Sequence, residues 1–226
     1  MRTYKDIEYN LSKSTRKTAS IYIERDGQIS VLAPSDWSRA QIEAVLERKR
    51  PWIYRGLAEW EDLNATRVNR EFVSGEGFLY LGKSYRLRIT EVQRVPLLLK
   101  EGYFYLRSDC FENPYEAFKQ FYRTKGLLKI RERVSYFQEK LGVVAGEVRV
   151  IELKNRWASC SEQHLNFHWR CMMAPLNILD YIVAHELVHL IHKNHTQAFW
   201  GELDKVMPDY LERKEWLRVN GAGLDI

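Results

Sequence analysis

The chain has 226 residues, 45% of them apolar and 29% charged, enough to bury a core and too apolar for a disordered chain. Its net charge of +5 suits an anionic ligand such as a phosphate without requiring one. The three cysteines (Cys110, Cys160 and Cys171) form no CxxC pair, no apolar run approaches the roughly 18–20 residues that span a bilayer, and the N-terminus is charged; a reducing, cytoplasmic location is expected, with no disulfide framework, membrane span or signal peptide.

Residues 1–110 read as β-rich. Asp26-Gly27 separates two alternating apolar runs in Ile21–Pro34, a hairpin signal. A helix is predicted over 38–60, with Ser38 as its cap and Ile42, Val45 and Leu46 at helical spacing; Pro51 is expected to kink or split it, and its aromatics to face the core. Strands follow at Phe72–Tyr80 and Lys83–Thr90 around Leu81-Gly82, then at Val95–Lys100 and Tyr103–Leu106 around Glu101-Gly102. Residues 111–226 read as mostly helical. Asn113-Pro114 starts a long helix that Gly142 ends after Leu141. Two strands are predicted at Glu147–Leu153 and His164–Cys171, then a helix from Pro175 to about His192. Helices at Thr196–Met207 and Asp209–Asn220 flank Pro208. The fold class expected is α+β: a β-rich region over 1–110 packed on a helical domain with a small sheet over 111–226.

All six histidines lie between 164 and 195, where even spread would put fewer than one. Among them is His185-Glu186-Leu187-Val188-His189. Residues i and i+4 of a helix differ by about 40° in direction and about 6 Å in height, so both imidazoles can converge on one metal. Glu186 then points beside that metal, where a base acting on the attacking water belongs. Two residues compete for a third ligand. His195 falls ten positions after His185, past a turn at Lys193-Asn194; His192 would lie within about 20° of the direction of His185 if the helix continued. His164 and His168, four apart on a strand, face one side and can line a cleft or an ordinary strand surface.

Several stretches resemble one family. They are Arg156-Trp157-Ala158-Ser159-Cys160-Ser161, Leu165-Asn166, Ala174-Pro175, Asp180 through His189, Asn194-His195 with Phe199-Trp200, and Met207-Pro208-Asp209-Tyr210. In order and spacing they are similar to the YgjP-like metal-dependent hydrolases, relatives of the WLM and SprT-like zincin metallopeptidases. Ala33-Pro34 and Gly75-Glu76 with Tyr80-Leu81-Gly82 extend the likeness more loosely; Ala158 departs from it, standing where the family has glycine. The resemblance implies a zincin-like, minimal gluzincin-type C-terminal domain and three histidine ligands, and it tips the third toward His195. It also implies two chemistries, since the fold is a peptidase's yet members are described as pyrophosphatases acting on UTP.

Three neutral imidazoles and a water suit Zn²⁺ best, with another divalent metal as the alternative. Around them, Arg156 is a candidate for holding an oxyanion or phosphate, or for a salt bridge within its loop. Ser159 is a candidate hydrogen-bonder, His192 a polar residue at the rim, and Tyr210 an oxyanion donor or a packing residue. Trp157 and Cys160 read as core, and Phe199 and Trp200 as packing behind the metal helix. Asp180 is a candidate acceptor from a ligand imidazole or a helix N-terminal charge. Three functions compete. A peptidase predicts an open groove beside an exposed strand such as 164–171. A nucleotide pyrophosphatase predicts a closed basic pocket drawing on Lys13, Arg16 and Lys17. A nucleic-acid-binding module would use the basic and aromatic run Arg48–Arg55.

Overall fold

A computed structural model describes residues 1–24, 27–64, 70–153 and 156–226. Among them are five α-helices and three small sheets, a mixed α+β architecture. The chain divides into two compact units, Met1–Arg67 and Val68–Ile226. The boundary expected near 110 therefore falls inside the second unit.

The first unit is a four-stranded sheet and one helix. Strands β1 (Arg2–Tyr4), β2 (Ile7–Ser14), β3 (Ser20–Ile23) and β4 (Ile29–Pro34) lie in the order β1-β2-β4-β3, with β2 and β4 parallel. The expected hairpin is β3–β4, with Ile21 opposite Val31; Asp26 of its turn lies outside the described residues. Alternate residues Ile7, Tyr9, Ile29, Val31 and Ala33 are buried, the period-2 signature of a sheet with one covered face. Helix α1 (Arg39–Asn64) covers that cluster with Ile42, Leu46 and Ile53. A reciprocal pair starts it: Ser38 Oγ accepts from the Gln41 N–H, and Gln41 Oε1 from the Ser38 N–H.

Helix α1 departs from two readings of the sequence, the split at Pro51 and the inward-facing aromatics. Pro51 does not split the helix: it is exposed, and residues on both sides of it are anchored in one core, so burial outweighs the lost hydrogen bond. Nor do its aromatics face inward. Trp52 is 47% and Tyr54 39% exposed, while Ile53 between them is buried.

The second unit builds the frame for the histidines. Strands β5 (Gly77–Tyr80), β6 (Lys83–Thr90), β7 (Leu97–Lys100) and β8 (Tyr103–Arg107) form a sheet ordered β5-β6-β8-β7. Strands β9 (Val148–Ile151), β10 (Ala158–Ser161) and β11 (His164–His168) form another, ordered β10-β11-β9. Helix α2 (Pro114–Leu141) packs against both. Asn113 Oδ1 accepts from the Glu116 N–H at its start, and Gly142, at φ +64°, ends it. Its buried residues Phe118, Tyr122, Gly126, Ile130, Val134, Phe137 and Leu141 recur at three or four. Phe118 stacks on Phe78 at 4.3 Å and lies 5.2 Å from Phe104, which ties the β5–β8 sheet into the core of the helical half. That shared core is why no domain boundary falls at 110. Helices α3 (Leu176–Val188), α4 (Gln197–Val206) and α5 (Tyr210–Asn220) complete the unit.

One turn sets where α3 begins. Leu81 and Gly82, both at positive φ, form the two-residue β5–β6 turn. Their N–H groups donate to the Met172 and Met173 carbonyls just before α3, at 2.7 and 3.1 Å. Gly82 sits at φ +77°, and a Cβ there would meet the Pro175 backbone at 2.8 Å. Gly82→Ala is expected to cost about 1–3 kcal/mol of stability, measured as a fall in the denaturant midpoint at unchanged slope; an unchanged midpoint would show that the turn does not anchor α3.

Candidate metal centre

Helix α3 carries His185 and Glu186, with His189 as its C-cap. Buried apolar residues at 178, 179, 182, 183, 187 and 188 seat it in the core, leaving His185 and His189 on one side. It ends at Val188, short of the predicted His192, yet His189 keeps helical angles (φ −64°, ψ −17°), so the i, i+4 relation survives. His189 Nδ1–H donates to the His192 carbonyl at 3.0 Å, which closes the turn and leaves His189 Nε2 as a lone-pair donor. The chain then returns His195.

Ligand atoms of His185, His189 and His195 all lie within 4.8 Å of one another. His195 Nε2 is 2.9 Å from His185 Nε2. Tetrahedral bonds of about 2.0–2.1 Å would put ligand nitrogens about 3.3 Å apart, so the cluster is on the scale of one ion, and binding would even out its closer and wider pairs. Burial, and then the neighbouring imidazoles and Lys214, push His185 down to about 3; the same influences lower His195. Both are neutral at physiological pH, the form that ligates. His185 Nδ1 is buried with no hydrogen-bond partner among the described residues; rings position this imidazole instead. Phe199 lies 4.9, 4.7 and 4.7 Å from His185, His189 and His195, and Trp200 stacks on His195 at 5.5 Å. Phe199 and Trp200 thus pack on the imidazoles themselves.

Glu186 is 7% exposed. Burial raises its carboxyl to about 7, against the opposing pull of the Arg156 charge and of the Cys160 backbone. The metal-free protein therefore loses stability as pH rises. A folded pKa above the ordinary carboxylate value means that the native state holds the proton more tightly, so this contribution is complete below about 4.5 and lost as pH climbs through about 7. Metal-free Glu186→Gln is expected to be more stable than the parent above pH 7, the gap closing toward pH 4.5. Denaturant titrations across that range test it; a gap independent of pH would contradict it.

The remaining candidates lie at different depths. Arg156 is exposed and acts on Glu186 through its charge. Ser159 is half-buried in β10 opposite Asn166. His192 contributes its carbonyl to His189, and its ring is not among the clustered imidazoles. Tyr210 stacks on Trp200 at 5.3 Å, one layer behind the histidines. Asp180 takes neither expected role: it forms a two-pronged ion pair with Arg133 at 2.6 and 3.0 Å, tying α3 to α2. His164 accepts from the Glu147 N–H, and buried His168 caps the turn after β11 by accepting from the Arg170 N–H. That cap ends β11 at His168, short of the predicted Cys171.

Strand 164–171 is not exposed as the peptidase alternative expected. β11 is the middle strand of its sheet, and β10, which the sequence did not suggest, is an edge. Two further neighbours went unnoticed. Tyr181 stands one turn before His185, its ring 5.8 Å away, and burial with the Glu186 charge pushes its phenol up to about 12. The i, i+4 spacing could have revealed it. Lys214, over the Trp200 ring at 4.5 Å, comes from α5 with no local signal.

Three clustered imidazoles beside a buried carboxyl group suit a metal-dependent hydrolase. The family model described as YgjP-like, metallopeptidase domain, matches residues 17–220. The chain belongs to this YgjP-like metallopeptidase family, which makes it, at family level, a metal-dependent peptidase acting on a peptide substrate. Among solved structures it is similar to the metallopeptidase zymogen of Pyrococcus abyssi abylysin, with 25% identity over 38% of this chain and 89% of that one, at a TM-score of 0.36. No hand-curated protein matches the chain. No helix among the described residues is long and apolar enough to cross a membrane.

Proposed function

We propose that this chain is a zinc peptidase with a zincin-like C-terminal half, in which His185, His189 and His195 hold the metal and Glu186 is the general base. The observation that carries the peptide substrate is the packing of β10 against the metal helix, with the Cys160 backbone close enough to favour the charged form of Glu186. The His168 N–H donates to the Trp157 carbonyl, and Ser159 lies opposite Asn166, so Ala158 and Cys160 turn their backbone groups away from β11. The free edge of β10 therefore runs beside the base. An extended substrate can add there as a strand, which positions its backbone without reading its side chains.

Bound zinc would supply Lewis acidity, lowering the pKa of water toward ~7. Glu186 takes the proton of the attacking water and delivers it to the leaving nitrogen. The Arg156 charge and the Cys160 backbone both favour the charged carboxylate at the start of the cycle. Two of the three cations proposed for a nucleotide pocket have local partners: Lys13 donates to the Ser35 and Trp37 carbonyls, and Arg16 to Ser20 Oγ. Zinc-loaded protein should cleave an unfolded polypeptide and leave nucleoside triphosphates intact in a parallel assay. Pyrophosphate release without peptide cleavage would overturn the substrate class, and no turnover with any divalent metal would overturn the hydrolase.

A further inference from the structure

A groove of about 810 Å³ lies in the second unit, among residues that take no part in the metal centre. One wall is Val95, Pro96, Leu97 and Leu98. Leu97 and Leu98 are successive residues of β7 whose side chains point to opposite faces, so a groove touched by both reaches the strand's edge rather than lying over one face. Among the described residues that edge is unpaired, because β7 has a strand partner only in β8. The Arg107 N–H donates to the Pro96 carbonyl, and the register pairs Leu98 with Tyr105. By antiparallel alternation Leu97 and Leu99 then turn their N–H and C=O groups outward. No partner for them is found among the described residues.

The facing wall is the first part of α2, from Asn113 to Lys125. Twelve residues of helix rise about 18 Å, the length of about five residues of extended chain. Ala117 leaves space, and Phe121 offers an apolar floor. Charge lines the rim unevenly, with Asp109, Glu112 and Glu116 against Lys125. Arg107 and Lys119 partly neutralise Asp109 and Glu116, while Glu112 has no ion pair among the described residues.

We propose that this groove binds an extended segment of a separate polypeptide, with apolar residues alternating with Lys or Arg, which joins β7 as an added strand. The free backbone edge calls for a polypeptide, since a compact apolar molecule would leave the outward groups of Leu97 and Leu99 unanswered. The acidic rim selects the basic side chains. The inference is independent of the proposed cleavage chemistry.

The test uses the full chain and two capped six-residue peptides, one alternating leucine with lysine and one alternating leucine with glutamate. The leucine–lysine peptide should bind in preference and slow hydrogen exchange at the Leu97 and Leu99 amides. Gln120→Trp, a change at an exposed position of α2 that fills the groove, should weaken binding about tenfold or more. Reversing the rim with Glu112→Lys and Glu116→Lys together should transfer the preference to the leucine–glutamate peptide. Equal affinity for both peptides, unslowed exchange at the two amides at millimolar peptide, or binding unaltered by Gln120→Trp would each overturn the proposal. Capture of a small apolar dye without protection of those amides would also count against it, identifying a small-molecule pocket.

Discussion

Glu186→Gln is expected to retain one metal ion per chain and to lower kcat by about 10²–10⁴-fold, the range that a general base supplies. Glutamine preserves the size and polarity of this buried side chain, so the helix and the imidazoles should stay in place. It cannot take the proton. Metal content by elemental analysis, read beside turnover of an unfolded polypeptide, separates base from ligand. Full activity in a metal-loaded variant would remove Glu186 from the mechanism, and loss of the metal would make it structural. The parent should gain activity as pH rises while Glu186 ionises. Its metal-free carboxyl, at about 7, marks the upper end of that range, because a nearby dication favours the charged form.

The second large effect separates the two histidines that competed for one place. His195→Ala should lose tight metal binding, with an affinity drop larger than the roughly 10–100-fold that follows loss of an outer hydrogen-bond partner. His192→Ala should bind as the parent does, because what His192 contributes is a backbone carbonyl, and alanine keeps it. Thermal unfolding with and without zinc reads this directly. A ligand at 100 times its Kd adds about 2.7 kcal/mol, so the parent and His192→Ala should shift upward together while His195→Ala stays unmoved. An equal shift in all three would take His195 out of the site.

Much of this was legible because the rules involved are local. His185, Glu186 and His189 lie within five residues, and helix periodicity alone orients them. Asn113-Pro114 and Gly142 bounded α2 for the same reason: capping is chemistry between near neighbours. The hairpin partners of β3–β4 and β5–β6 followed from turn residues. The misreadings came where distant groups decide. Pro51 breaks helices on average, but α1 is anchored on both sides of it. Strand β10 carries no strong strand signal in Ala158–Ser161; pairing with β11 creates it. Asp180 looked like a partner for a histidine until the fold brought Arg133 to it.

By itself, then, the sequence marked His185, Glu186 and His189 as a candidate metal site and named the helix they stand on, because two imidazoles and a carboxylate at that spacing have few other uses. Only the tertiary structure decided how the site is completed. The turn after Val188 spends the carbonyl of His192 on His189 and brings back His195. The burial that holds His185 neutral and raises Glu186 comes from packing by α4 and α5 and from β10. The edge of β10 beside Glu186 exists only once β11 has paired on its other side. These are long-range facts, set by which surfaces exclude water together, and no window of sequence contains them.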